Sequence, residues 1–233
     1  MPKKLSKLSA KFKYRAAPVF QFSILITFPL LWSYAGWNSL FVIPLASLYH
    51  LFALSAGGHM VISHNRDAGA WTPVLYTLFF YTSFITPATW AGFHIQHHKY
   101  PDTERDPHSP KYRGLKAIFL TGWNPKLIDR KTYIRVSKKP IAKFFDDYFW
   151  LLCLIPFLAF YFLPFEAVLL LWAVPASLAI TMATTGAYLS HIQGSPGHNA
   201  LVTVSFAFGE HPNHRRHHED PKFNSKLVEQ FYD

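Results

Sequence analysis

The sequence has one cysteine, Cys153, and two long stretches with almost no charge. A single cysteine excludes a disulfide within the chain and a metal site built from several thiolates. No Asp, Glu, Lys or Arg occurs from Ala16 to Asn65, and Glu166 is the only one from Tyr148 to Gly209. Uncharged stretches of this length are typical of membrane-spanning helices rather than of a soluble core.

Negative charge is also scarce, and the formal net charge is +10. Residues 1–15 carry six cations and no anion, and residues 111–143 carry ten cations against the single Asp129. Both basic segments adjoin apolar runs, as expected for short cytoplasmic loops of a membrane protein. Membrane topology therefore explains the positive charge, and we expect no nucleic-acid partner.

The apolar runs predict four membrane spans arranged as two hairpins. Gly36-Trp37-Asn38-Ser39 breaks the first uncharged stretch, and Leu163-Pro164-Phe165-Glu166 breaks the second. We interpret residues 17–35 as a retained anchor, because no cleavage site of the signal-peptide type follows them. The spans are predicted at about residues 17–35, 39–58, 147–163 and 165–190, after a basic cytoplasmic N-terminus at residues 1–16.

A fifth apolar run, residues 71–92, contains Pro73 and Pro87 and makes a poor straight span. If it crossed the membrane, the histidines on its two sides would face opposite compartments. We therefore predict an interfacial or re-entrant segment. The fold class is all-α integral membrane, a single domain over residues 1–233, with both termini and a histidine-rich metal-binding cap (residues 59–146 and 191–233) in the cytoplasm.

Most of the thirteen histidines fall into three short groups beside the predicted spans. In a His-x-x-His-His segment on a helix, the later histidines return to the side of the first. Neutral imidazole suits iron, copper and zinc. Together with a histidine that ends the fourth span, the groups supply nine imidazoles, more than one tetrahedral site uses, so the count favours two metals. The candidate ligands are His59, His64, His94, His97, His98, His191, His214, His217 and His218.

Four other histidines are given no ligand role by this interpretation. His50 lies within the second span and is expected to be a structural residue. His198 and His211 are not assigned. His108, in "DPHSP", is expected to orient a ligand or to bind Asp106.

The segments "HMVISH", "HIQHHKYPDTERDPHSP" and "GEHPNHRRHH" resemble the integral-membrane fatty acid desaturases, and most of all their delta-9 branch. The resemblance covers roughly residues 35–220. It implies two iron ions per chain, held by the nine histidines above, and a fatty acyl substrate linked to CoA, a carrier protein or a lipid. The side chains expected to lie behind the ligands are Asp106, His108, Thr184, Asn199 and Glu210.

The sequence departs from the family pattern at three places. Ala187 stands where members commonly have an asparagine that holds a metal-bound water, and Thr184 or Ser190 is a candidate substitute. Gly92-Phe93 stands where acyl-CoA members often have Arg-Asp, which weighs against a CoA thioester. The third segment has one extra residue, so that His211 competes with His214 as a candidate ligand.

The resemblance implies a desaturase that uses dioxygen to place a cis double bond in a saturated acyl chain. No haem, flavin or nucleotide motif is present, so a separate b-type cytochrome, ferredoxin or rubredoxin is expected to supply electrons. One alternative is a hydroxylase or ketolase of an alkyl or carotenoid substrate on the same scaffold. An alternative of a different class is a divalent-metal transporter.

Overall fold

The computed structural model describes residues 3–36, 39–116, 123–191 and 217–218, and all regular secondary structure in these ranges is helical. Two π-helical segments, Ala53–Ser63 and Leu169–Ala173, continue from α-helices. Short 3₁₀ turns lie at Gly69–Trp71 and Pro125–Leu127. The α-helices are α1 (Lys3–Ala35), α2 (Ser39–Phe52), α3 (Thr72–Ser83), α4 (Pro87–Lys99), α5 (Pro110–Lys116), α6 (Arg130–Ser137), α7 (Pro140–Asp147), α8 (Phe149–Phe162), α9 (Phe165–Val168) and α10 (Val174–His191).

Among the described residues, two continuous helices are long and apolar enough to cross a membrane. Phe41–Ser63 has 23 residues and a mean hydropathy of 1.5, and Phe165–His191 has 27 residues and a mean hydropathy of 1.9. They correspond to the predicted second and fourth spans. The apolar part of α8, Phe149–Leu158, is shorter than a full span. The four-span topology therefore stays a prediction.

The helix boundaries agree with the predicted breaks and differ at the N-terminus. α1 ends at Ala35, before Gly36 with φ +65°, and α8 ends at Phe162, with two residues between it and the start of α9. However, α1 already begins at Lys3, so most of the basic N-terminus expected to precede the first span belongs to the same helix. Lysine and arginine are good helix formers, and nothing in this basic segment stops a helix.

The uncharged run at residues 71–92 is divided between two helices by a sharp turn. Phe84 ends α3 with a left-handed φ of +51°, and the Ser83 hydroxyl accepts a hydrogen bond from the Ile85 N–H at 3.1 Å. Thr86 then caps α4, accepting from the Thr89 N–H. Neither α3, with 12 residues, nor α4, with 13, has the length of about 20 residues needed to span.

The core is built from aromatic side chains between α3, α7, α8 and α10. Phe80 lies 5.2 Å from Phe145 and 5.8 Å from Phe149, measured between ring centroids. The indole of Trp172 donates a hydrogen bond to the Tyr81 carbonyl at 2.8 Å, which joins α3 to the second π-helical segment. This packing holds α3 and α4 against the first π-helical segment, which carries two candidate ligands.

A glycine at this contact provides a test of the packing. A Cβ on Gly57 would lie 2.6 Å from the Leu75 carbonyl oxygen, a backbone atom of α3. We expect Gly57→Ala to force α3 away and to lower the free energy of unfolding by about 1–3 kcal/mol, as overpacking does. Thermal unfolding of the detergent-solubilised protein measures the effect. Ala70→Ser, which adds one atom at an exposed position, is the control; equal midpoints for both variants would contradict the close contact.

Candidate metal centre

The first two candidate ligands are His59, in the first π-helical segment, and His64, the residue that directly follows this segment. In an α-helix, residues five apart point about 140° away from each other. The π-helical turn closes hydrogen bonds between residues five apart, and the His64 N–H donates to the His59 carbonyl at 3.1 Å. Their ring centroids are therefore only 4.6 Å apart. The local π-helix makes His-x-x-x-x-His usable as a ligand pair.

The second group lies in the last turns of α4. The ring centroid of His94 is 4.4 Å from that of His98 and 6.5 Å from that of His97. The rings of His94 and His98 therefore lie close together, and the ring of His97 lies further from His94. His191 is the last residue of α10. The described part of the third group, His217 and His218, completes the cluster.

Four histidines form one group whose ligand nitrogens all lie within 4.8 Å of one another: His59, His64, His94 and His217. The Nε2 atom of His64 is 3.0 Å from that of His94 and 3.1 Å from that of His217. A neutral imidazole has one N–H and one lone pair, so Nε2 of His64 cannot donate to both neighbours. Nitrogens that share one tetrahedral zinc ion would be about 3.3 Å apart. This spacing fits a metal ion at their centre.

A second group contains His97, His191 and His218, and carboxylates support two of its rings. Nδ1 of His97 is 2.9 Å from Oδ2 of Asp106, and Nδ1 of His191 is 3.0 Å from Oδ2 of Asp102. A carboxylate on Nδ1 fixes the proton there and leaves Nε2 as the ligand.

Asp106 is fully buried and held on both oxygens. It accepts from the backbone N–H of Asp102 at 2.9 Å and of His108 at 2.8 Å. Burial raises the pKa of this carboxyl above its ordinary value, and these hydrogen bonds oppose the rise.

His98 lies between the two groups. Its ring centroid is 4.7 Å from that of His217 in the first group and 4.4 Å from that of His218 in the second. Both of its ring nitrogens are buried, and neither has a hydrogen-bond partner among the described residues. Burial, then the neighbouring histidines, lower the pKa of His98 and favour neutral imidazole, the form that binds metals. A buried donor and acceptor left without partners fits a metal ligand.

Three helix ends converge at this cluster. The first π-helical segment ends at Ser63, α4 at Lys99 and α10 at His191. The carboxyl end of a helix carries partial negative charge from its last carbonyls, which favours a nearby cation. The site thus offers neutral nitrogens and a field that attracts positive charge, and each of the two histidine groups could hold a metal ion.

The remaining predicted site residues are placed as follows. His108 belongs to neither group; its ring packs 4.9 Å from Trp123, and burial lowers its pKa to about 3. Thr184 and Ala187 line the cavity beside the ligands. The predicted residues His214, Asn199 and Glu210, with the unassigned His198 and His211, lie outside the described residues.

His50 lies away from the metal groups and has its own partners. Its Nδ1 is 2.8 Å from the Thr82 hydroxyl and its Nε2 is 3.2 Å from the Leu171 carbonyl. Leu171 belongs to the second π-helical segment, where the irregular turn makes a carbonyl available. This is the structural role expected from the sequence.

A cavity of ≈ 70 Å³ opens on the histidines of both groups. Trp90 and Trp123 form one wall, with their ring centroids 5.1 Å apart in a stacked arrangement, and the small residues Ala183 and Ala187 of α10 lie on another.

Gly92 and Phe93 stand where the sequence departs from the family pattern. Gly92 packs against Ile128, and Phe93 is fully buried. Apolar packing thus replaces a charged pair at this point.

Sequence reasoning missed two residues that hold the site. Asp102 was not singled out, although it lies four residues before Asp106 in the same acidic segment (residues 102–106), which was a usable signal. Gln96, inside "HIQHH", is buried and donates to the carbonyls of Arg105 at 2.7 Å and Leu127 at 2.9 Å. Its own carbonyl accepts from the Asp129 N–H at 2.6 Å. Gln96 therefore joins the acidic segment to α4, a role without a sequence signal.

The profile of the family described as "Fatty acid desaturase" matches residues 56–226, which include every histidine of both groups. The chain belongs to the fatty acid desaturase family. No curated protein and no solved structure matches it.

Family membership assigns the chain to the oxidoreductases, with a desaturase-type function and a fatty acyl substrate. The family binds iron, and the two histidine groups are suited to metal. Together with the two long apolar helices, the family indicates a membrane protein.

The carboxylates behind the ligands can be tested by metal content. We expect Asp106→Asn to release His97 from its orientation and to weaken metal binding by about 10–100-fold, the usual cost of losing such a partner. Titration of the metal-depleted protein followed by elemental analysis measures this. Glu104→Gln, which removes an exposed carboxylate from the same segment, should bind as the wild type does. Unchanged affinity in Asp106→Asn would show that Asp106 does not support a ligand.

Proposed function

We propose that the chain is a membrane fatty acyl desaturase that places a cis double bond in a saturated acyl chain with a His-ligated di-iron centre. The electrons would come from a separate donor, a b-type cytochrome, ferredoxin or rubredoxin. The observation that carries the proposal is the pair of histidine groups, linked through His98 and opening on one cavity.

The donor set supports iron in an oxidative role. The described ligand candidates are all imidazoles, which suit iron, copper and zinc. Structural zinc sites close with four ligands, mostly cysteine and histidine, and hold one ion. Two groups joined by a shared neighbour instead suit two ions. Bound there, the iron pair would supply the activation of dioxygen and the removal of hydrogen from the acyl chain.

The chain's own residues bind and position the substrate. A saturated methylene offers nothing to hydrogen-bond, so an apolar cavity must fix its distance from the metals. Ala183 and Ala187 leave space beside the ligands, and the stacked indoles of Trp90 and Trp123 close the opposite side and exclude water. Thr184 lines the same cavity, and its proposed role, in place of the family's asparagine, would be to hydrogen-bond a water near the metals.

The proposal includes the topology and the full ligand set. The four proposed spans are α1, α2 together with the first π-helical segment, α8, and the helix from Phe165 to His191. Both termini and the metal centre are proposed to lie in the cytoplasm. The positive charge of residues 111–143 supports this orientation. The proposed ligand set has nine histidines with His214 included, and Asn199 and Glu210 are proposed to support them.

Fatty-acid profiling of a host with and without the chain tests the reaction. We expect a new unsaturated acyl product, abolished by His97→Ala or His217→Ala because each removes a metal ligand. His50→Ala is the control and should keep substantial activity. An oxygenated product without a double bond would favour the hydroxylase or ketolase, and metal flux in proteoliposomes without oxidation would favour the transporter.

Metal analysis tests the centre independently of turnover. Protein purified without oxygen should contain two irons per chain. His97→Ala should lose iron while His50→Ala retains it, because the ring nitrogens of His50 bind Thr82 and Leu171 instead. One zinc per chain and no iron would contradict the di-iron centre.

A further inference from the structure

A second, larger cavity of ≈ 290 Å³ lies between α1, the N-terminal end of α4, α6 and α7. Its volume is near the lower end of the range for small-molecule sites, about 300–1,000 Å³. Trp123 lines both this cavity and the one beside the histidines. We refer to it as the polar cavity, because six of its described lining residues carry hydroxyl, ammonium or carboxyl groups: Lys13, Tyr14, Thr86, Thr89, Tyr133 and Asp146.

The polar groups of this cavity form a connected network. The hydroxyls of Thr86 and Thr89 are 3.0 Å apart. The side chains of Thr86 and Tyr133 lie close enough to the Asp146 carboxyl to affect its pKa, and Thr89 lies close enough to the Tyr133 hydroxyl to affect the pKa of that group. Hydroxyls both donate and accept, so they can exchange a bond within the network for one to a ligand.

The charges of the polar cavity balance. Lys13 and Asp146 are its only two ionic side chains among the described lining residues. The Lys13 ammonium donates to the Asp146 backbone carbonyl and lies 5.3 Å from the centre of the Phe149 ring, so it is already engaged. An anionic ligand here would lie near the negative charge of the Asp146 carboxylate. The ammonium of Lys13, which could offset this repulsion, already has other partners. Binding an anion at such a partly desolvated site is therefore unfavourable.

The polar cavity and the histidines are far enough apart for one lipid to have its polar end in the cavity and its alkyl chain beside the histidines. Thr86 caps α4, and His94 lies eight residues further along the same helix, a rise of about 12 Å. A lipid whose polar end binds near Thr86 would have several methylenes between that end and the metal groups. Because Trp123 lines both cavities, a lipid that reached from one cavity to the other would pass beside this side chain.

We propose that the polar cavity binds the polar end of the acyl substrate and selects a net-neutral group, such as a glycerol ester, over an anionic one. This inference rests on the proposed function, because it takes the ligand to be the acyl substrate. The glycerol hydroxyls and ester carbonyl match the hydroxyl network of Thr89 and Tyr133, and no added charge disturbs the pair of Lys13 and Asp146.

Binding of radiolabelled lipids to the purified full chain in detergent tests the inference without turnover. The probes share one acyl chain: monostearoylglycerol, stearate and stearoyl-CoA. We expect monostearoylglycerol to bind at least 10-fold more tightly than either anion. Tighter binding of stearoyl-CoA or stearate would overturn the proposal.

Two pairs of variants locate the binding. Tyr133→Phe removes one hydroxyl and should weaken monostearoylglycerol binding by about 5–10-fold, the effect of one neutral hydrogen bond. Tyr112→Phe, at an exposed tyrosine, should stay within about twofold of wild type. Asp146→Asn makes the cavity net positive and should shift the preference towards stearate, whereas Asp147→Asn, at the exposed neighbour, should not.

The thermal midpoint of each variant shows whether it is folded. If Tyr133→Phe is unfolded, two other results test the proposal: the lipid preference of Asp146→Asn compared with that of Asp147→Asn, and the order in which the wild type binds the three lipids. Wild-type affinity in both cavity variants would overturn the proposal. A chain that binds monostearoylglycerol as expected but forms no double bond would contradict the proposed function alone, and double-bond formation with unchanged binding in the variants would contradict the cavity alone.

Discussion

The structure depends on the convergence of three helix ends that carry histidines in or next to their last turns. The first π-helical segment, α4 and α10 bring His64, His98 and His191 into one cluster. Imidazoles packed with their nitrogens facing one another repel unless a proton or a metal ion lies between them. The negative ends of the three helices make a cation the favourable solution. The core and the acidic segment are arranged so that these ends stay together.

The surrounding packing explains why the ligands are held in place. The left-handed turn at Phe84 returns the chain, so that α3 and α4 both pack on the first π-helical segment. The indole of Trp90, on α4, donates to the Gly58 carbonyl beside His59, and Gln96 fastens the acidic segment to α4. Asp102 and Asp106 then reach the ligands on α10 and α4. A shift of α4 would change distances at both histidine groups, because it carries His94 of the first and His97 of the second.

In the proposed function, the two cavities have different roles. The cavity beside the histidines is small and closed by indoles and alanines, which suits an alkyl chain that offers no polar group. The polar cavity, about 12 Å away along α4, offers hydroxyls and a balanced pair of charges. Trp123 belongs to both walls.

The sequence by itself determined the histidine groups, the helical class and the breaks at Gly36 and Pro164, because uncharged runs, proline and His-x-x-His-His spacing act locally. His50 could also be set apart, since it lies alone. Only the tertiary structure decided which histidines share a group, because α4 supplies ligands to both. It also decided the pairing of Asp102 with His191, which joins residues far apart in the chain. The π-helical turn that brings His59 and His64 together depends on packing against α3 and α4, which no local pattern encodes.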